Sequence, residues 1–425
     1  MPEKNEVSRR SLLGIAGAGV AAASLTSLLT ACTPRAVPAP ASSTSGGESG
    51  TIKLGVLFSL SGDLAIAETA MHNGTMLAIE EINAAGGILG RTIQPVVADY
   101  ASDFKLVVEK AQYLVDQGVA ATVGCYSSAS RKAVLPVFEK ADAVLVYPTF
   151  YEGLECSTNV IYSSLVANQH LTDASEWMVE NLGKRIYMVG SDYVGPQTYN
   201  AIVSKLTQKR GATVVQNRFF PLGQTEFGAA ISDIKATKPD VVWCTLVGDS
   251  VPAFYKQMLN AGLSGQVMPI MAGITTEQEL AAIDTDAALG HYFPSSYFAT
   301  MTGNGNKAFV NRYQAKFGSN QPTNMPVEAS YTSVYLVKAA IEKAHTANPK
   351  AILAAFPGVT VNAPGEGQVT VTANHHTTHP IFLGRANKDR LYDVVATFKP
   401  RKPDPFPADL VGAENVPMCP RRETT

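Results

Sequence analysis

Charge is scarce in this chain. Only 16% of its 425 residues are Asp, Glu, Lys or Arg, against about a quarter in ordinary soluble domains. Neither sign is in surplus, since 34 basic residues face 36 acidic ones for a formal net charge of −2. That balance excludes a generally basic nucleic-acid binder, whose affinity rests on many phosphate-directed cations. A 46% apolar content excludes a disordered acidic chain. Beyond residue 31 no apolar run reaches membrane length. Cysteine is sparse too: Cys32, Cys125, Cys156, Cys244 and Cys419, none at metal-ligand spacing. A bridge between Cys125 and Cys156 is compatible with export, but two buried free thiols is the preferred reading. There is no P-loop or dinucleotide fingerprint, because the glycines at 14–19 fall inside the N-terminal apolar stretch.

What is present begins with an address. Ser8-Arg9-Arg10-Ser11-Leu12-Leu13 sets paired arginines before a stretch of Ala, Gly and Leu that ends at Leu29-Thr30-Ala31-Cys32. The order resembles a twin-arginine signal over 1–31 joined to a bacterial lipobox, with Cys32 as the lipid-modified residue. A plain membrane anchor is the competing reading, since the stretch nearly reaches spanning length. Residues 32–50 are rich in Pro, Ser and Gly and read as a tether between lipid and folded body. The expectation is an exported lipoprotein, held on the cell membrane through Cys32 and facing the periplasm or cell exterior.

From residue 51 strand-like and helix-like segments alternate. Short apolar runs at 52–58, 92–98, 120–124 and 143–147 read as buried strands. Helical patterns at 67–85, 104–116 and 130–140 separate them. A second series places strands at 185–190, 213–219, 241–246 and 267–271, with helices at 169–181, 198–210, 227–236 and 251–261. A long helix follows at 325–345. This alternation predicts an α/β fold of two doubly wound parallel-sheet lobes. The division is 51–165 plus 298–357 for lobe 1, 166–297 plus 358–405 for lobe 2, and a C-terminal tail at 406–425. In such sheets ligands sit outside the carboxyl ends of the strands. The loops there, at 59–63, 125–130, 147–152, 191–197, 245–250 and 271–276, hold hydroxyls and aromatics with few charges.

These loops carry a resemblance. The opening IKLGVLFSLSGDLA and NGTMLAIEEINAAGGILGR are similar to the N-terminal signature of type I periplasmic binding proteins, the solute receptors of ABC importers. The segments GCYSSASRKAVL (124–135), YPTFYEGLEC (147–156), GSDYV (190–194) and VNAPGEGQVTVTAN (361–374) resemble the branch that binds urea and short aliphatic amides. The resemblance implies two lobes joined by hinge strands, which close on a small neutral solute for an ABC permease in the membrane. It implies Tyr126, Ser128, Tyr147, Thr149 and Tyr193 as ligand contacts. Where relatives carry an aromatic two residues past that tyrosine, this chain has Gly195, which enlarges the expected pocket. No cofactor, metal or nucleic-acid partner is implied. A branched-chain or related amino-acid receptor and an amide sensor are the other members of this reading.

The residue chemistry runs alongside. A planar amide wants aromatic faces and hydroxyl partners, whereas a carboxylate or phosphate ligand would call for an arginine clamp. Arg131 is read as opening its helix rather than reaching a ligand. Glu152 is taken as a candidate acceptor of ligand N–H groups. Asp192 and Asp249 are read first as helix caps or lobe–lobe contacts. Gly248-Asp249-Ser250 is the strongest enzyme signal, but Ser250 is a natural helix cap and has no histidine at recognisable spacing. His375, His376 and His379 lack a companion acid or cysteine at metal-site spacing and are placed in a loop. The chain is therefore read as a receptor and not an enzyme.

Overall fold

The short apolar runs become strands that neighbours cover on both faces. The structure, a computed structural model, describes residues 50–407. The segments expected to be a signal and most of a tether, Cys32, Cys419 and nearly all of the expected C-terminal tail lie outside the described residues. The first sheet contains β1 (Ile52–Leu57), β2 (Ile93–Ala98), β3 (Ala121–Gly124), β4 (Leu145–Tyr147) and β5 (Val160–Tyr162). They run parallel in the order β2-β1-β3-β4-β5. The last three strands are buried at every position, which is why their sequences show no polar alternation.

The second series gives β6 (Arg185–Ser191), β7 (Thr213–Phe220), β8 (Val241–Thr245), β9 (Ile270–Ala272) and β10 (Tyr292–Ser295). A separate hairpin pairs β11 (Thr360–Ala363) with β12 (Gly367–Thr370). Two late strands, β13 (Ile381–Ala386) and β14 (Tyr392–Phe398), complete the larger sheet in the order β14-β13-β10-β9-β8-β6-β7. β13 and β14 are antiparallel to their neighbours, so this sheet is mixed at one edge and parallel elsewhere.

Between β10 and β11 the chain forms the helices Asn304–Phe317 and Met325–Ala344, and both pack against the helix Ala65–Ala84. A Cβ on Gly74 would lie 2.6 Å from the Val327 carbonyl oxygen. Only glycine permits two helix backbones to approach so closely there.

The chain passes between the sheets after β5, after β10 and again at 371–380, and polar side chains tie these crossings together. Thr377 Oγ1 donates to the Tyr162 carbonyl (3.0 Å) and lies 2.6 Å from His379 Nε2. Glu366 takes His379 Nδ1 on one oxygen and the Ser296 hydroxyl on the other, each at 2.5 Å. His376 stacks on Tyr162 with centroids 4.4 Å apart. The histidine cluster thus has an acid partner, Glu366, that no sequence spacing announced. Among the described residues no group of three or more His, Cys, Asp or Glu side chains is placed to hold a metal ion.

One buried acid makes the fold pH-sensitive. Glu68 accepts the Ser59 N–H (2.8 Å) and the Tyr100 hydroxyl (2.7 Å), and burial pushes its carboxyl from 4.5 up to about 8. Below pH 4.5 the folded and unfolded states hold the same proton. Between 4.5 and 8 only the folded state keeps it, so its contribution to stability is lost as pH rises. Relative to Glu68→Gln, the wild-type chain is expected to lose stability by up to about 1.4 kcal/mol per pH unit across that window. Guanidinium chloride unfolding of both proteins from pH 5 to 8 measures it, and parallel pH profiles would refute it.

Candidate ligand-binding site

The carboxyl ends of the strands in the two sheets face each other across a small cavity. One wall consists of Tyr126, Ser127, Ser128, Tyr147, Thr149 and Phe150. The other is built from Tyr193, Gly195, Tyr199 and Ile274. No Asp, Glu, Lys or Arg side chain lines it.

Local structure explains each position. Ser127 caps the helix Ser128–Lys140, its hydroxyl oxygen accepting the Ser130 N–H at 3.0 Å. The helix therefore starts two residues earlier than its apolar pattern suggested, and Ser128 is its first residue. Tyr147 ends β4 and donates its hydroxyl to the Tyr126 carbonyl at 2.6 Å. Thr149 donates to the Cys125 carbonyl at 3.3 Å. In the other wall the helix Val194–Gln208 also begins early, so Tyr193 sits at its N-cap and Gly195 in its first turn. A Cβ on Gly195 would stand 3.0 Å from Ser128 Oγ, so the two walls nearly touch at this point. The space expected from a missing aromatic at 195 is occupied in part by Ser128. Tyr199 follows one turn later, with its hydroxyl 3.3 Å from His170 Nδ1. Neither Tyr199 nor Ile274 was singled out from sequence.

Behind Ser128 lies the most charged buried cluster of this wall. Its hydroxyl donates to Glu152 Oε2 at 2.5 Å. Arg131 Nη2 donates to Glu152 Oε1 at 2.9 Å, its Nε to Glu155 Oε1 at 2.8 Å, and its Nη1 to Ser128 Oγ at 3.2 Å. The guanidinium is wholly buried between the rings of Tyr147 (4.9 Å) and Tyr151 (4.5 Å). Burial opposes its charge, but Glu152 and Glu155 outweigh burial and hold its pKa well above normal. Burial likewise pushes Glu155 up, yet Arg131 and Lys132 bring its carboxyl down to about 2. Arg131 does sit in the opening turn of its helix, but its side chain turns inward as the hub of this cluster. Glu152 is buried and reaches the cavity wall only through Ser128.

The remaining candidates are placed as follows. Asp192 accepts from Gln197 Nε2 at 2.7 Å on the surface. Asp249 is raised by burial and by Asp63 of the facing loop. Gly248, at φ +60°, lets the backbone pass where a Cβ would stand 2.1 Å from the Asp63 carbonyl oxygen. Ser250 is the first residue of the helix Ser250–Asn260, and its buried hydroxyl has no hydrogen-bond partner, so no histidine activates it. Asp249 rather than Ser250 holds the N-cap position, without a side-chain cap bond. Cys125 and Cys244 are buried free thiols. Cys156 is disulfide-bonded, contrary to expectation, and not to Cys125.

The family model described as a periplasmic binding protein domain matches residues 52–411. The chain belongs to the periplasmic binding protein family. It is therefore a substrate-binding receptor of the ABC-transporter type and not an enzyme. This periplasmic binding protein is similar to the Leu/Ile/Val-binding protein BraC3 of Rhizobium johnstonii, 28% identical over 307 residues, covering 70% of this chain and 80% of the relative. The leucine-, isoleucine-, valine-, threonine- and alanine-binding protein of Pseudomonas aeruginosa is 26% identical, with 74% and 84% covered. Among solved structures, the solute-binding protein of an ABC transporter from Rhodopseudomonas palustris BisB5, in complex with 3,4-dihydroxybenzoic acid, superposes with a TM-score of 0.75 at 21% identity, covering 83% of this chain and 98% of that one. The branched-chain amino acid receptor LivJ of Streptococcus pneumoniae, with isoleucine, gives 0.71 at 26%, covering 83% and 100%. Three of these four names refer to amino acids and one to an aromatic acid; none mentions urea or an amide.

Proposed function

We propose that this periplasmic binding protein captures urea or a short aliphatic amide between its lobes and presents it to an ABC permease. The observation that carries this reading is a cavity lined by hydroxyls, aromatic rings and one isoleucine, with no charged side chain. A neutral planar solute can pair with such a wall without burying an unmatched charge. Tyr126, Ser128, Tyr147, Thr149 and Tyr193 are the proposed contacts, and Glu152 acts through Ser128. Closure on the solute would trap it and create the surface that a permease recognises. Lipidation of Cys32 would keep the receptor at the membrane, and Cys32→Ala is expected to release it into the soluble fraction.

The second reading, a branched-chain amino-acid receptor, is favoured by the names of the relatives. It needs partners for an α-ammonium and an α-carboxylate. Titration calorimetry of the mature chain with urea, formamide, acetamide, propionamide, leucine and isoleucine separates the two. The expected result is saturable heat with at least one amide or urea and none with leucine. Binding of leucine with no response to amides would overturn the proposal. Ser128→Ala is expected to weaken the bound amide about tenfold, the worth of one buried hydrogen bond.

A further inference from the structure

A serine hydroxyl owns one proton and two lone pairs, and its direction is set by what surrounds it. Ser128 gives its proton to Glu152, and Arg131 Nη1 donates into one lone pair. Only the second lone pair remains for the cavity. Other hydroxyls of the lining are turned the same way. Tyr147 spends its proton on the Tyr126 carbonyl and Thr149 on the Cys125 carbonyl. His170 Nε2 lies 3.0 Å from the Pro294 carbonyl, which accepts only, and burial lowers this histidine to about 3. The neutral ring therefore carries its proton on Nε2, and its bare Nδ1 accepts from Tyr199. Against these four stand Tyr126, whose buried hydroxyl has no partner, and Tyr193, whose hydroxyl makes no hydrogen bond among the described residues; both keep a proton to give.

We infer that Arg131 and Glu152 are positioning residues that hold Ser128 as a hydrogen-bond acceptor, so that the cavity selects ligands by their N–H groups and rejects carboxylates of the same size. The inference deepens the amide reading and rests on it for the choice of ligand. An amide fits this wall, with N–H groups for the lone pairs and a carbonyl for Tyr126. A carboxylate at Ser128 would set lone pair against lone pair beside a buried Glu152.

Glu152→Gln tests the orientation with an isosteric change. Arg131 can only donate, so the new amide oxygen must face it and the new NH₂ must face Ser128. That NH₂ donates to Oγ and turns the serine proton toward the cavity. With the full mature chain and calorimetry, wild type is expected to prefer acetamide over acetate by at least about 100-fold. Glu152→Gln is expected to shrink that ratio at least about tenfold, by losing acetamide affinity and gaining acetate affinity. A merely structural role for Glu152 would weaken both ligands together. Acetate binding to wild type as well as acetamide, or an unchanged ratio in Glu152→Gln, overturns the inference. Should Glu152→Gln fail to fold, Ser128→Ala serves, with acetamide expected to weaken and acetate to stay unchanged; equal changes overturn it. If leucine binds and amides do not, the amide reading falls while the polarity is still read. Leucine is then compared with 4-methyl-2-oxopentanoate, in which a carbonyl replaces the ammonium. A preference for leucine that Glu152→Gln erases upholds the polarity, and one it leaves intact overturns it.

Discussion

Arg131→Leu is expected to lower the free energy of unfolding by about 3–5 kcal/mol, the cost of leaving buried charge without its partner. The guanidinium bonds Glu152, Glu155 and Ser128 and lies between two tyrosine rings, all of them buried. Leucine restores some packing but strands two carboxylates, one of which owes its pKa of about 2 chiefly to the arginine. Arg131→Lys should recover only part of the loss, because an ammonium cannot serve two carboxylates and a serine in one plane. Adding Glu155→Gln to Arg131→Leu should regain stability, since one stranded charge is then removed. Guanidinium chloride denaturation of the three variants decides the matter, and a loss below about 1 kcal/mol in Arg131→Leu would show that the cluster is not the support described.

Gly195→Val is expected to weaken solute binding by at least about 100-fold, a loss of roughly 3 kcal/mol, while leaving stability nearly unchanged. A Cβ at 195 already stands 3.0 Å from Ser128 Oγ and 3.1 Å from the Tyr193 ring, and valine adds two methyl groups beyond it. The backbone at 195 lies in a helix turn and not at positive φ, so the fold itself accepts a side chain. The crowding falls between the two walls, where it resists their approach and not the folding of either. Calorimetry should show the binding loss, and thermal melting without ligand should show little change. A valine variant that binds normally would mean the walls separate further in the bound state than in this structure.

Eight strands of the two large sheets were legible in the sequence as apolar runs alternating with helical patterns, while β5, β10, β13 and β14 were not. β5, with only three residues, is too short to show a period, and β14 is largely exposed on one edge. The helix carrying Tyr193, Gly195 and Tyr199 was read as starting at 198, since Pro196 and Gln197 look like loop. A proline is tolerated within the first turn of a helix, whose N–H groups have no internal partner. Five expected contacts, Tyr126, Ser128, Tyr147, Thr149 and Tyr193, line one cavity. Arg131 resisted reading because its meaning depends on Glu152 and Glu155, which arrive from another loop. At its own position it looks like any charge in a first helical turn. The pairing of His379 with Glu366 was hidden in the same way, by a hairpin that separates them along the chain. Cys156 was misjudged because sequence gives no distances between cysteines.

The cluster behind Ser128 also bears on how receptors of this shape diversify. Two proteins can present identical walls to a solute and still want opposite chemistry, because the direction of a hydroxyl is decided by side chains the solute never meets. A comparison restricted to cavity residues would class such a pair together. Redesign confined to those residues would reshape the cavity while leaving its appetite for donors intact. In this chain a single oxygen-for-nitrogen exchange at Glu152, out of sight of the ligand, is the smaller and more far-reaching change.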